Sequence, residues 1–422
     1  MLLLRRTTED LGSLGIADVR LVGPEGTFVR GDLLIREGRV AAVGPELDLK
    51  GVPVLQGAGR TALPAFVDLH AHFRDPGFPE KEDMASGSAA AVRGGFTAVS
   101  LMANTNPTCD RPEVARYVVE KARQVGLVEV YPVGAITRGL AGQELADLDG
   151  LAPYVWAYSD DGKGVERPDL LVQAGRKAAA LGKVIMEHCE FSGLEELGQE
   201  LMAARDLWLA HRLGFRLHLT HLTSPHAVEL AAWAKRQGVQ VTCDATPHHL
   251  TWPREEGDYV LNPPLVDRQT QQGLIAALKG EKLDAIATDH APHTPEAKAQ
   301  GAPGISGIET AFPLLYTRLV RPGLIPLGQL ARFLSQGPAR ILGLNKGQLA
   351  PGYDGDVVIV EEDSTFVVTP EYFWSKGKNT PILGTQLWGQ VWATVHKGMV
   401  VYLDGQLRGR DFDDHRQVVG EG

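Results

Sequence analysis

Two histidines set two residues apart, in the run Phe66-Val67-Asp68-Leu69-His70-Ala71-His72, are the first residues in this chain able to do chemistry together. Alternate side chains of an extended strand share a face, so His70 and His72 point the same way and can grip one metal ion. Asp68 lies below them on that face, where it could orient a ligand from behind. Three more apolar runs end in ligand-type residues: Ile185-Met186-Glu187-His188, Leu219-Thr220-His221 and Ile286-Ala287-Thr288-Asp289. Borderline metals such as zinc accept imidazole nitrogen and carboxylate oxygen, and a hydrolytic site keeps one position open for water. Four histidines and Asp289 suffice for one or two ions.

Ligands at the ends of several strands require a scaffold that gathers those ends. The apolar runs Val184–Met186, Arg216–Leu219, Val239–Thr242 and Asp284–Ala287 alternate with alanine- and leucine-rich helical stretches, which reads as repeated β-α units and a parallel sheet. No strand-like run leads into Gly-x-Gly-x-x-Gly, so an open dinucleotide-binding sheet is disfavoured against a (β/α)8 barrel, whose active sites sit at the carboxyl ends of its strands. The first sixty residues behave differently. Short alternating runs such as Ala17–Val22 and Leu33–Gly44 are broken by glycine turns, and the pattern returns at Asp356–Val360 and Val391–Val401. Two strand-rich ends around a different middle predict one discontinuous β domain.

The chain has 422 residues, 44% of them hydrophobic and 22% charged, the composition of a soluble globular protein with room for one large barrel and an appendage. A net charge of −10 and the absence of a Lys/Arg block argue against nucleic acid as a partner. The apolar start Met1–Leu4 meets Arg5 and Arg6 at once, too short for a signal peptide or a membrane span, so a cytoplasmic location is expected. Cys109, Cys189 and Cys243 are odd in number and widely spaced, which fits a reducing compartment without a disulfide framework.

His70-Ala71-His72 continues into Phe73-Arg74-Asp75-Pro76-Gly77. Further segments are Asn104-Thr105-Asn106-Pro107, Ser159-Asp160-Asp161-Gly162, Leu261-Asn262-Pro263-Pro264-Leu265, Ala287-Thr288-Asp289-His290-Ala291-Pro292-His293 and Gly307–Pro313. Together they resemble the amidohydrolase superfamily and, within it, the bacterial type I dihydroorotases. The resemblance implies a distorted (β/α)8 TIM-like barrel over residues 61–346 and a small composite β-sandwich from residues 1–60 and 347–422. It also implies reversible, zinc-dependent conversion of L-dihydroorotate to N-carbamoyl-L-aspartate in pyrimidine synthesis. Carried over by position, His70, His72 and Asp289 would hold one zinc, His188 and His221 a second, and Asp161 would bridge them. Asp160 is the adjacent rival. The fourth-strand run Val155–Asp161 has no lysine to carboxylate, which separates this chain from hydantoinase and allantoinase patterns. Arg74 would offer a planar fork to the substrate carboxylate one strand-face step beyond His72. Asn104, Asn262, His293, Pro303 and Gly304 match other substrate contacts, and Asp289 would carry the proton between attacking water and leaving nitrogen.

Other residues invite plainer readings. His218, three positions before His221, should face the opposite side of its strand as a packing or solvated residue. Lys163 reads as a surface lysine, His248 and His249 as shaping the barrel mouth, and Trp252, Trp374, Trp388 and Trp392 as core or subunit contacts. The segments from His188 to His221 and from His293 to Gly304 are short for the family, Ala302-Pro303-Gly304 lacks the aromatic expected before that glycine, and Ala103 stands where proline is usual. Trimmed loops leave room for a partner. Two further readings therefore stand beside dihydroorotase: a weakly active or non-catalytic subunit assembling with aspartate transcarbamoylase, and a hydantoinase- or allantoinase-type enzyme. A homodimer is compatible with each.

Overall fold

Residues 11–22 and 27–408 are described by the computed structural model. The Met1–Arg6 stretch discussed above lies outside them. The N-terminal alternation becomes β1 (Leu14–Val22), β2 (Phe28–Arg36) and β3 (Arg39–Gly44), an antiparallel meander in which Glu37-Gly38 turns the second strand into the third. Two short strands, β4 (Val54–Gln56) and β5 (Thr61–Pro64), then run parallel to β1.

The middle of the chain supplies β6 (Phe66–Ala71), β7 (Phe96–Leu101), β8 (Glu129–Gly134), β9 (Ala157–Tyr158), β10 (Val184–Glu187), β11 (Arg216–Leu219), β12 (Val241–Ala245) and β13 (Ala285–Ile286). They form an 8-stranded sheet in chain order, paired parallel throughout. A parallel bridge between Ala71 and His290 brings the end of β6 beside the segment after β13, so the sheet nearly closes into a barrel. Intervening helices turn alanine and leucine faces onto the strands; Ala227, Val228 and Ala231 of the helix Pro225–Arg236 are buried this way.

The C-terminal alternation gives β14 (Val357–Val367), β15 (Gln386–His396), β16 (Met399–Leu403) and β17 (Gln406–Leu407). These strands join the N-terminal ones in one 9-stranded sheet, with β5 between β1 and β14. Bulges in the β1–β2 and β14–β15 ladders let the sheet curl, and Ile16, Leu33, Ile35, Val357, Ile359 and Val395 meet in a core of its own. Only Ala65 separates β5 from β6, so the strand carrying His70 continues directly out of the shared sheet. A buried charge cluster fastens the two parts elsewhere. Lys346 Nζ pairs with Asp356, Glu129 (2.8 Å) and Asp354 (3.3 Å), while Lys397 Nζ reaches Glu129 at 2.6 Å. Among the described residues no helix is long and apolar enough to cross a membrane.

Candidate metal and active site

Where the barrel strands end, four imidazoles converge on two carboxylates. Asp161 is central: its Oδ1 lies 3.3 Å from His70 Nε2, 3.4 Å from His221 Nε2 and 3.5 Å from His188 Nδ1, and its Oδ2 lies 3.6 Å from His72 Nε2. Asp289 Oδ1 approaches His72 Nε2 at 3.1 Å and His70 Nε2 at 3.5 Å. Asp160 turns away. Its Oδ1 accepts the backbone N–H groups of Ile136 and Thr137 at 2.8 and 2.9 Å, and its Oδ2 accepts the Thr137 hydroxyl, so it braces the end of β8. Of the two adjacent carboxylates, Asp161 is the one that faces the histidines.

The cluster suits a cation. Two sets of donor atoms, His70/Asp161/His221 and His70/His72/Asp289, each lie within 4.8 Å of one another. Both ring nitrogens of His70 are buried without a hydrogen-bond partner, as is His221 Nδ1. Leaving polar groups unsatisfied in this way is costly unless something else satisfies them. Electrostatics agree. Burial disfavours the ionised Asp289, but His70 and His72 outweigh it and hold this carboxyl well below the usual range. His70 shows the converse: burial opposes its charge, yet Asp161 and Asp289 push it up to about 10.

Beside the cluster, Arg74 is partly buried and forms no ion pair with any described carboxylate. Its Nε donates to the Pro292 carbonyl at 3.3 Å and its Nη2 lies 3.2 Å from His293 Nε2. Burial, only partly offset by Asp289 and Asp161, lowers its pKa to about 10, which leaves it cationic at neutral pH. His293 donates from Nε2 to the Pro303 carbonyl at 2.9 Å, so its buried Nδ1, which has no partner, is an acceptor. Burial first, then Arg74 and Lys81, lower its pKa to about 3 and keep the ring neutral. Gly304 has φ 141°, and a Cβ there would meet Ala291 Cβ and O at 2.7 Å, so only glycine fits. Asn104 Oδ1 accepts from His72 Nδ1 at 2.8 Å, and Asn262 Nδ2 lies 3.5 Å from His188 Nε2.

Residues 59–245 match the family profile described as dihydro-orotase-like. A dihydroorotase from Clostridium botulinum is 39% identical over 379 residues, spanning 88% of this chain and 95% of that protein. One from Bacillus cytotoxicus is 37% identical over 413 residues, spanning 91% and 96%. The chain belongs to the dihydroorotase family of amidohydrolases. Among solved structures, an L-hydantoinase from Arthrobacter aurescens superposes with a TM-score of 0.85 over 94% of this chain and 97% of its own, at 23% identity, a likeness of fold alone. Membership of this family and the His/Asp cluster together support a metal cofactor.

Three residues of this dihydroorotase-family chain lie differently from what their spacing predicts. His218 is packed rather than solvated, but it shares an aspartate with His221: it is wholly buried, with Nδ1 2.7 Å from Thr242 Oγ1 and Nε2 2.9 Å from Asp244 Oδ2, whose other oxygen accepts the His221 N–H at 2.6 Å. The two-residue alternation fails because β11 ends at Leu219 and His221 has φ 35°. Arg74 is not one strand-face step past His72, since β6 ends at Ala71 and Arg74 has φ 57°. Asp68 orients backbone rather than a ligand ring, accepting from His70 N (3.2 Å), Thr288 N (2.9 Å) and Thr288 Oγ1 (2.5 Å). Lys163 is exposed, and His249 Nε2 donates to the Pro263 carbonyl at 3.2 Å, which fixes the loop carrying Asn262. Asn379 was not singled out from sequence. Its Oδ1 accepts His293 N at 2.8 Å and its Nδ2 donates to Gly304 O at 2.9 Å; its only signal was the scarcity of asparagine.

Proposed function

We propose that this chain is a dihydroorotase that reversibly hydrolyses the ring amide of L-dihydroorotate to N-carbamoyl-L-aspartate, in pyrimidine synthesis in the cytoplasm. The observation that carries the substrate is Arg74, a partly buried guanidinium without an ionic partner among the described residues, beside the His/Asp cluster. Such a cation calls for an anion with planar geometry, and the substrate carboxylate is one. Residues 61–346 form the catalytic unit in this reading, flanked by 1–60 and 347–422.

The donor set fits zinc, with His70, His72 and Asp289 holding one ion, His188 and His221 a second, and Asp161 between them. Zinc so held would polarise the ring carbonyl and lower the pKa of water to about 7. The remaining work belongs to the protein. Arg74 anchors the carboxylate, and His293 offers Nδ1 as an acceptor while the Pro303 carbonyl fixes its tautomer. Gly304 lets that loop approach, and Asn104 stands against His72 and Asn262 against His188. Asp289 is ionised at neutral pH, so it accepts the proton of the attacking water and delivers it to the leaving amide nitrogen. In reverse it takes a proton from the carbamoyl nitrogen. Zinc analysis of the purified chain together with dihydroorotate turnover tests the reading; a zinc-loaded chain that leaves dihydroorotate intact refutes it.

The short segments after His188 and His293 support assembly with a second copy or with aspartate transcarbamoylase to close the mouth. Mixing the two proteins is expected to raise turnover and give a co-eluting complex. Full turnover from a monomer, unchanged on mixing, removes the partner from the proposal.

A further inference from the structure

His188 leaves β10 with its two ring nitrogens facing different ways. Nδ1 looks into the cluster, 3.1 Å from His221 Nε2 and 3.5 Å from Asp161 Oδ1, whereas Nε2 lies 2.9 Å from Glu190 Oε2. The same Glu190 oxygen accepts the Asn262 Nδ2–H at 3.2 Å. One carboxylate thus ties together two segments, its own after β10 and the loop after β12 that carries Asn262. The Glu190 backbone is fixed by its amide, 3.3 Å from Met202 Sδ on the helix Glu195–Leu213. Its side chain is 42% exposed while that of His188 is 1% exposed, so an acid at the rim reaches inward onto a buried ring.

We infer that Glu190 is a positioning residue: it keeps the His188 proton on Nε2, leaves Nδ1 as the electron-pair donor into the cluster, and sets the orientation of Asn262. An imidazole that donates its second N–H to a carboxylate has a fixed tautomer and ring orientation and a more basic free nitrogen. Without Glu190 the ring is free to flip and to move its proton to Nδ1, which then cannot act as a donor atom. An exposed ion pair contributes little to stability on its own. Glu190 differs from such a pair because one oxygen receives two donors from two separate segments, and both belong to the site. The inference rests on the metal reading given above, and adds a residue to which that reading assigns nothing.

The experiment compares wild type with Glu190→Ala, Glu190→Gln, Asn262→Ala and the Glu190→Ala/Asn262→Ala double variant. Each metal-stripped protein is titrated with Zn²⁺ against a chromophoric chelator, then assayed at saturating zinc. Glu190→Ala is expected to weaken zinc uptake about 10- to 100-fold. Glu190→Gln keeps most of the affinity, because its amide oxygen still accepts from His188 Nε2. Glu190→Ala also raises KM for dihydroorotate. In the double variant KM is no higher than in Asn262→Ala alone, while the zinc weakening persists. Melting of the metal-free variants stays at the wild-type temperature, since truncating a rim side chain opens no buried cavity. Equal zinc affinity in wild type and Glu190→Ala overturns the inference, as does a Glu190→Gln variant that loses as much affinity as the alanine. A wild type that binds zinc without hydrolysing dihydroorotate overturns the assigned activity instead, and the zinc comparison still decides for or against Glu190.

Discussion

Replacing Arg74 with lysine keeps the positive charge and removes the fork. Arg74 Nε is already committed to the Pro292 carbonyl, so the guanidinium meets an anion with its two Nη groups. Lysine retains one contact of that kind. The loss is one charge-assisted hydrogen bond, about 1.5–3 kcal/mol, or about a 10- to 150-fold rise in KM. Zinc content stays at the wild-type level because Arg74 touches neither the four cluster histidines nor the two carboxylates. The assay is steady-state hydrolysis of dihydroorotate alongside a ring of the same kind without the carboxylate, dihydrouracil, at high concentration. The penalty should appear with the first and vanish with the second. Unaltered kinetics on dihydroorotate, or an equal penalty on both rings, would refute the assignment of Arg74 as the anion anchor.

Asp289→Asn is expected to lower kcat about 10²- to 10⁴-fold while part of the zinc remains, measured by turnover and elemental analysis; near-normal activity counts against Asp289 as proton carrier. Asp161→Asn should lose zinc, whereas Asp160→Asn should keep it and lower stability by about 1–3 kcal/mol, because only the second braces Ile136 and Thr137. Lys346→Met should cost about 3–5 kcal/mol at neutral pH, read from denaturant melts, by leaving Asp356 buried without its cation. Burial resists ionisation of Asp356, but Lys346 and His396 hold it well below the usual carboxylate range. Its contribution is therefore present above about pH 4 and is lost as pH falls towards the folded-state value, so the gap between variant and wild type should narrow in acid.

The histidines were legible because metal chemistry and strand periodicity both act locally: His70, His72, His188 and His221 each stand at or just past the end of an apolar run. The composite sheet was legible for the same reason, its alternation being visible at both ends of the chain. Where the backbone leaves ideal strand geometry, side-chain direction is no longer legible from spacing. His218 and His221 share an aspartate because a left-handed residue breaks the alternation, and no count along the sequence reveals a positive φ. Asp160 and Asp161 could not be told apart, since the distinction lies in the Ile136 and Thr137 amides, on the segment just past the neighbouring strand. Glu190 and Asn379 act through partners distant in sequence, Asn262 for one and Gly304 for the other, and only tertiary structure brings those together.

The single residue between β5 and β6 has a consequence for how the molecule comes into being. Thr61–Pro64 pairs along its length with Val357–Val360, partners separated by most of the chain. The strand that leads into His70 and His72 is therefore steadied at its root by a segment almost three hundred residues further along the chain. Contacts this distant are slow to form and leave an edge unpaired in the interim. A chain lacking Val357–Val360 would carry every candidate ligand and still lack the footing that aligns the first pair.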